Sequence, residues 1–256
     1  SQEQRDIAAQ MDKFSPDFVL HTGDMVESGL DSDADAQYFK PYAGLLARAP
    51  FFLALGNHDY GADLRGPEGR GFIKANYAPF HSVPLTGLPP HYYYFDEGNA
   101  RFFVLDTNAF DGAKFAPTLE PGSKQYKWLE RYLAKTEKEW KFVVVHEPLY
   151  STGAHGASEA EVKALEPLLL KYKVDVVFQG HDHNYERTVP VKEGLPDEAE
   201  GIVYVTLAGG GSTLYIQRRN EEWSEKFLPT YHFAYVEVND KVFNMSVYNK
   251  DGEVID

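Results

Sequence analysis

The sequence predicts an α/β fold, and three observations predict it. Short apolar, β-branched runs alternate along the chain with helical periodicities, as in βαβ units. Four of those runs have Asp, Asn or His at or just beyond their ends, at the strand ends where open sheets form ligand crevices. Two further pairs of runs, near 91–105 and 231–248, read as antiparallel hairpins. With 256 residues the chain is long enough to bury a real core, and residues 1–256 are read as a single domain.

Composition narrows the function classes. Apolar residues at 43% and charged residues at 25% describe a globular chain, not a disordered one. The formal net charge of −14 disfavours a broad nucleic-acid-binding face, unless metal ions supply positive field locally. There is no Cys, so any metal must be held by His, carboxylate or amide oxygen. No apolar run reaches the roughly 18 residues of a membrane span. The amino terminus, Ser1-Gln2-Glu3-Gln4-Arg5-Asp6, is polar and unlike a signal peptide.

Taken in order, Ile7, Ala8, Met11 and Phe14 give an amphipathic helix that stops before Pro16. Residues 18–22 form a strand running into Gly23-Asp24; Asp24 is a candidate metal ligand or, alone, a turn cap. Residues 34–49 read as a helix with Tyr38, Leu45 and Leu46 inward, followed by a strand at 51–55 that ends in Gly56-Asn57-His58-Asp59. Asn57 offers a neutral oxygen to a hard metal. His58 can donate a proton, and Asp59 stands ready to orient a nearby imidazole or raise its pKa. Residues 61–90, rich in Gly, Pro and Arg, read as a long surface loop with a brief helix near 73–80.

After the first hairpin, 123–139 is an amphipathic helix capped by Ser123, with Tyr126, Leu129, Tyr132 and Leu133 on its inner face. Strand 142–145 ends on His146. Ser151-Thr152-Gly153-Ala154-His155-Gly156 is flexible enough to carry His155 over a substrate, or to leave it as a plain surface residue. Helix 158–171 carries a capping box from Ser158 to Glu161. Strand 174–178 then delivers Gly180-His181-Asp182-His183-Asn184-Tyr185-Glu186-Arg187, with two imidazoles at i and i+2 that can share a point. Gly209-Gly210-Gly211 follows a strand but lacks the Lys-Ser/Thr of a phosphate loop, so close backbone approach to the site is the better reading.

Asp24, Asn57, His146, His181 and His183 thus lie at or just past the ends of four strands. The blocks Gly23-Asp24, Gly56-Asn57-His58-Asp59, Val143-Val144-Val145-His146 and Gly180 to Arg187 resemble, in order, the calcineurin-like metallophosphoesterases and their purple acid phosphatase branch. The resemblance implies two packed mixed β-sheets flanked by helices and a dinuclear centre of Fe, Mn or Zn ions with a metal-bound hydroxide nucleophile. Asp24 would bridge the metals, Asn57, His146 and His181 would complete one, and His183 would bind the other. Asn57, His58 and His155 would contact a small phosphate ester, with His58 and His155 assisting the leaving group.

Two departures accompany it. Glu27 stands where the purple enzymes carry their colour-giving Tyr, so no purple chromophore is expected and Glu27 becomes a substitute ligand candidate. The family's first strand and its Asp motif have no counterpart here, so a domain without its first strand is expected, with one metal less fully ligated. A phosphomonoesterase is the leading reading; a diesterase or nuclease of the same superfamily and a non-catalytic metal-binding module are the alternatives. A zinc protease is disfavoured by the lack of His-Glu-x-x-His. The resemblance and the absence of Cys point to a secreted or periplasmic location.

Overall fold

The structure is a computed structural model that describes residues 1–61, 91–110, 112–113 and 116–256. The expected loop at 61–90, with its brief helix, lies outside the described residues apart from Gly61. In chain order the elements begin with α1 (Gln2–Met11), β1 (Val19–His21), α2 (Asp31–Ala34) continuing into a π-turn (Asp35–Phe39), α3 (Ala43–Leu46), β2 (Phe51–Leu53) and α4 (Asn57–Tyr60). Next come β3 (Tyr93–Glu97), β4 (Ala100–Val104), α5 (Lys124–Lys135), β5 (Trp140–Val144), α6 (Glu159–Lys171) and β6 (Val176–Gln179). The chain closes with β7 (Tyr185–Thr188), β8 (Val191–Lys192), β9 (Leu195–Pro196), β10 (Val203–Leu207), β11 (Ser224–Leu228), β12 (His232–Asn239) and β13 (Val242–Asn249).

Seven strands form a mixed sheet in the order β11-β7-β10-β6-β5-β4-β3, parallel through β10, β6, β5 and β4 and antiparallel at both flanks. The central strands are apolar on both faces because both are covered. Val143, Val145 and Val177 pack against Trp128, Leu129 and Leu133 of α5 and Leu165, Leu168 and Leu169 of α6. The alternate residues Phe142, Val144 and Phe178 face Phe52, Ala54 and the β12–β13 hairpin, with Phe142 and Phe243 ring centroids 5.6 Å apart. Truncating Phe142 to Ala is therefore expected to cost about 3–5 kcal/mol.

The expected second sheet is present as two ribbons among the described residues: the parallel pair β1–β2 and the antiparallel hairpin β12–β13. On their outer side, Ala8 of α1, Tyr38, Tyr42 and Leu45 pack on Phe51 and Leu53. The layers therefore run helix, large sheet, paired ribbons, helix.

Two expectations differ in detail. The helix read over 34–49 is broken, because Pro41 supplies no backbone N–H: Lys40 keeps helical dihedrals, but the π-turn stops at Phe39 and α3 restarts at Ala43. The glycines after β10 give close approach away from the ligand cluster: a Cβ on Gly209 would fall 2.1 Å from His232 Nδ1, and one on Gly211 2.7 Å from Gln4 Cβ. Ser123 and Ser158 cap α5 and α6 as read, but the reciprocal half of the capping box expected from Ser158 to Glu161 is not formed, because the Ser158 N–H donates to the Pro148 carbonyl at 3.1 Å.

Candidate metal centre

The loops at the carboxyl ends of β1, β2, β5 and β6 meet at one end of the layers because their backbones come almost into contact. A Cβ on Gly56 would fall 2.2 Å from Asp24 Oδ1, and one on Gly180 2.8 Å from the Thr22 carbonyl, so side chains there would push the loops apart. Asp24 (φ 56°) and His181 (φ 63°) both occupy the left-handed region, which L-residues rarely adopt and which redirects each side chain inward from its strand.

His146 is the hub. Its Nδ1 pairs with the Thr22 carbonyl at 2.8 Å, which assigns the proton there and leaves Nε2 to the cluster. That nitrogen lies 3.1 Å from Asn57 Oδ1, 3.2 Å from Asp24 Oδ2 and 3.2 Å from His181 Nδ1. Ligand atoms placed about 2.0–2.2 Å from a common ion lie roughly 3.0–3.5 Å apart, so the set fits a first-row metal of N and O preference.

Asp24, His146 and His181 offer ligand atoms all within 4.8 Å of one another. His183 and Glu27 lie outside that group. His183 pairs its Nδ1 with the Thr213 carbonyl at 2.8 Å, leaving Nε2 as its ligand atom, and stacks on Tyr215 with centroids 4.4 Å apart. Glu27 is exposed; its carbonyl accepts from His58 Nδ1 at 2.6 Å.

Electrostatics divide the imidazoles by role. Burial, with His146 nearby, drives His181 down to about 3, and burial also lowers His183, so both are neutral and ready to ligate. His146 goes the other way: burial opposes charge, but the Asp24 carboxylate beside it raises it to about 10. Burial pushes Asp24 up, yet His146 holds its carboxyl well below the usual range. Without metal the cluster is thus held together by a proton. His58 is raised as well, burial being outweighed by the Glu27 carbonyl and the nearby Asp24 and Glu27 charges.

The remaining candidates are held as follows. The His58 N–H donates to Asp24 Oδ1 at 2.9 Å. Asp59, fully buried, accepts the N–H groups of Asp24, Met25 and Gly56 at 2.9, 3.0 and 2.9 Å, so its carboxylate is engaged by the turn that presents Asp24. Burial and the Asp24 charge push Asp59 up to about 7 against those donors. His155 is exposed, and its ring rests on that of His181 with centroids 4.0 Å apart.

Sequence reasoning missed four contributors. His21, held at about 4 chiefly by burial, accepts the Gly23 N–H at 3.2 Å and shapes the turn before Asp24. Asp182 and Glu186 are buried carboxylates turned to the 151–156 loop. Tyr215 comes from a segment without strand or helix pattern, and only its place after the triple glycine marked it. The histidine-rich block drew notice to its imidazoles, while the carboxylates inside that block carried a signal of their own: charged residues next to a buried strand need partners.

Comparison with known proteins accords with this geometry. Residues 2–185 match the calcineurin-like phosphoesterase family. Tartrate-resistant acid phosphatase type 5 of Oryctolagus cuniculus is 26% identical over 92% of this chain and 76% of its own length. Probable inactive purple acid phosphatase 27 of Arabidopsis thaliana is 30% identical over 77% of this chain but 35% of its own. The chain therefore spans about a third of that plant relative. Purple acid phosphatase PPD1 of Lupinus luteus superposes with a TM-score of 0.80 at 23% identity, covering 98% of this chain and 48% of its own, a likeness of fold. Strand-end ligands, layer order and sequence kinship agree that this chain belongs to the calcineurin-like phosphoesterases, in their purple acid phosphatase-like branch.

Proposed function

We propose that the chain hydrolyses small phosphoric monoesters at a dinuclear metal centre. Asp24, Asn57, His146 and His181 hold one ion, and Asp24, His183 and Glu27 serve the second. The observation that carries this reading is the convergence of Asn57, Asp24 and His181 donor atoms within 3.2 Å of His146 Nε2, from four separate loops. Fe, Mn or Zn ions supply, when bound, positive charge for the phosphoryl oxygens and an acidified water for in-line displacement at phosphorus. The relative named Fe(3+)-Zn(2+) purple acid phosphatase 12 of Arabidopsis thaliana, 29% identical over 76% of this chain, supports iron and zinc as the first pair to try.

The chain's own residues do the rest. His58, with Nδ1 tied to the Glu27 carbonyl and its pKa raised, is biased towards the protonated form and passes a proton from Nε2 to the departing alkoxide. His155, exposed above His181, donates to an equatorial phosphoryl oxygen and assists the same transfer. Asp59 acts on the turn: by gathering three amides it fixes Asp24 and Gly56 relative to each other. Hairpin β12–β13 lies beyond the residues matched by the family yet packs on Phe142 and Phe178, which supports treating 1–256 as one domain.

A second reading, a metal-binding module without turnover, is favoured by the Arabidopsis thaliana relatives named probable inactive purple acid phosphatases 27 and 24. The deciding experiment reconstitutes the protein with iron, zinc or manganese, measures metal per chain, and follows hydrolysis of 4-nitrophenyl phosphate and bis(4-nitrophenyl) phosphate with and without chelator. Two ions and chelator-sensitive preference for the monoester support the proposal. Faster bis-ester hydrolysis would make the chain a diesterase, and one ion with no turnover of either ester would establish the second reading.

A further inference from the structure

The loop that carries His155 is fastened from below by two buried carboxylates, and both belong to the segment that carries His181 and His183. Asp182, fully buried, accepts the His155 N–H on Oδ1 at 2.9 Å and, on Oδ2, the Gly156 N–H at 3.1 Å and the Ser151 hydroxyl at 2.6 Å. Glu186, 1% exposed, accepts the Thr152 N–H at 2.8 Å, the Thr152 hydroxyl at 2.6 Å and the Ser224 hydroxyl at 2.6 Å, and lies 3.1 Å from the Ser151 hydroxyl, whose one proton goes to Asp182 at the shorter distance. Among the described residues neither carboxylate has a Lys, Arg or His partner at ion-pair distance. Neutral donors alone solvate the two charges, an arrangement that persists only when every lone pair is met. The fit is close: a Cβ on Gly153 would fall 2.7 Å from both Asp182 Oδ2 and Asn184 Oδ1.

The 217–219 segment also holds the loop, at Thr152 and Gly153, but the amides of His155 and Gly156 at its tip are fastened by Asp182. The outcome is visible at its tip, where the exposed His155 ring lies 4.0 Å from His181 and 5.5 Å from Tyr215. We infer that Asp182 and Glu186 are positioning residues: they hold the 151–156 loop so that His155 stays over the metal-binding histidines, ready for the phosphoryl group and the leaving oxygen. The inference rests, for its catalytic consequence, on the phosphomonoesterase reading above. It assigns a role to the residue between the two ligand histidines that ligation itself leaves open.

The anchor is tested first without turnover, by amide hydrogen exchange on the metal-loaded protein. The His155 and Gly156 amides should exchange slowly in the parent and at least about tenfold faster in Asp182→Ala, while amides of β5 and β6 are unchanged. Rapid exchange of both amides in the parent would overturn the inference. The consequence is read with two esters, phenyl phosphate, whose poor leaving group needs a proton, and 4-nitrophenyl phosphate, whose good one does not. Asp182→Ala should lower kcat on phenyl phosphate about 10- to 100-fold, as His155→Ala does, with a far smaller loss on 4-nitrophenyl phosphate. The double variant should be no worse than either single one.

Equal losses on both esters at full metal content, or losses that multiply in the double variant, would overturn it. Should Asp182→Ala fold poorly or lose metal, Gly153→Ala keeps the sequence of 181–186 while its Cβ presses the loop off Asp182 and Asn184, and must give the same pattern. A parent that turns over neither ester would defeat the phosphomonoesterase reading instead. The exchange result, with the affinity for inorganic phosphate, which must weaken equally in His155→Ala and Asp182→Ala, would still decide the anchor.

Discussion

The proposed centre has two unlike halves. Around His146, itself 1% exposed, three further donor atoms lie within 3.2 Å, and one of their residues, Asp24, is also held by the His58 N–H. Around His183, half-buried, the imidazole is oriented by a single carbonyl and a stacked Tyr215, and Glu27 is exposed. The difference is one of preorganisation: the first half has its geometry before any ion arrives, with a proton shared between His146 and Asp24 standing in for the cation. The second half has its ordering still to be done, and an ion binding there must supply the energy for it.

Removing the hub should have the largest effect. His146→Ala is expected to abolish binding at the first half and lower turnover on the order of a thousandfold, the scale of losing a preorganised electrostatic group. His183→Ala should leave one tightly held ion per chain. Elemental analysis of both variants checks this, and loss of both ions in His183→Ala would erase the distinction between the halves.

The proton held by His146 makes the next prediction. Because its pKa is raised to about 10, an ion entering the first half must displace that proton throughout the neutral range. Affinity there should rise about tenfold per pH unit between roughly pH 5 and 8, and isothermal titration in buffers of different ionisation enthalpy should count about one released proton. At the second half the imidazole is already neutral near pH 7, since burial lowers His183, and the slope above pH 7 should be flat.

Smaller effects sharpen the comparison. Glu27→Gln should weaken the second ion by about tenfold while leaving the first unchanged, as measured by competition with a chelator. The stability of the metal-free protein should depend on pH in two windows. His21 and His232, both lowered to about 4 chiefly by burial, contribute fully above the ordinary 6.5, and their contribution is lost as pH falls towards 4. His146, raised, contributes fully below 6.5, and its share is lost as pH rises towards 10. Thermal melts should therefore lose several degrees as pH rises from about 6.5 towards 10, at roughly 2–4 °C per kcal/mol, and metal should abolish that loss; on the acid side Asp59, raised to about 7, offsets part of the histidines' loss.

The strands that carry ligands were legible because burial on both faces makes them uninterrupted apolar runs, as in Phe142-Val143-Val144-Val145. The helix caps at Ser123 and Ser158 were legible because their chemistry is local. Strand β11, Ser224–Leu228, was not: its burial pattern is half-exposed without alternation, and only pairing with β7 makes it a strand. The break at Pro41 was open to reading and yielded to the helical spacing of Tyr38 and Leu45. Within the site, residue types flagged the ligands, whereas the partners of Asp59, Asp182 and Glu186 are backbone amides and hydroxyls distant in sequence. No spacing rule announces those.

The left-handed backbone at Asp24 and His181 carries an evolutionary consequence. Each non-glycine residue in that conformation costs about 1 kcal/mol or more relative to glycine. Replacing His181 with Gly would relieve that strain and remove a candidate ligand in the same step, whereas replacing Asp24 would also remove the carboxylate that pairs with His146 and accepts the His58 N–H. Selection for folding alone therefore runs downhill at His181, and under the proposed function it is a demand for turnover that would hold the imidazole in place.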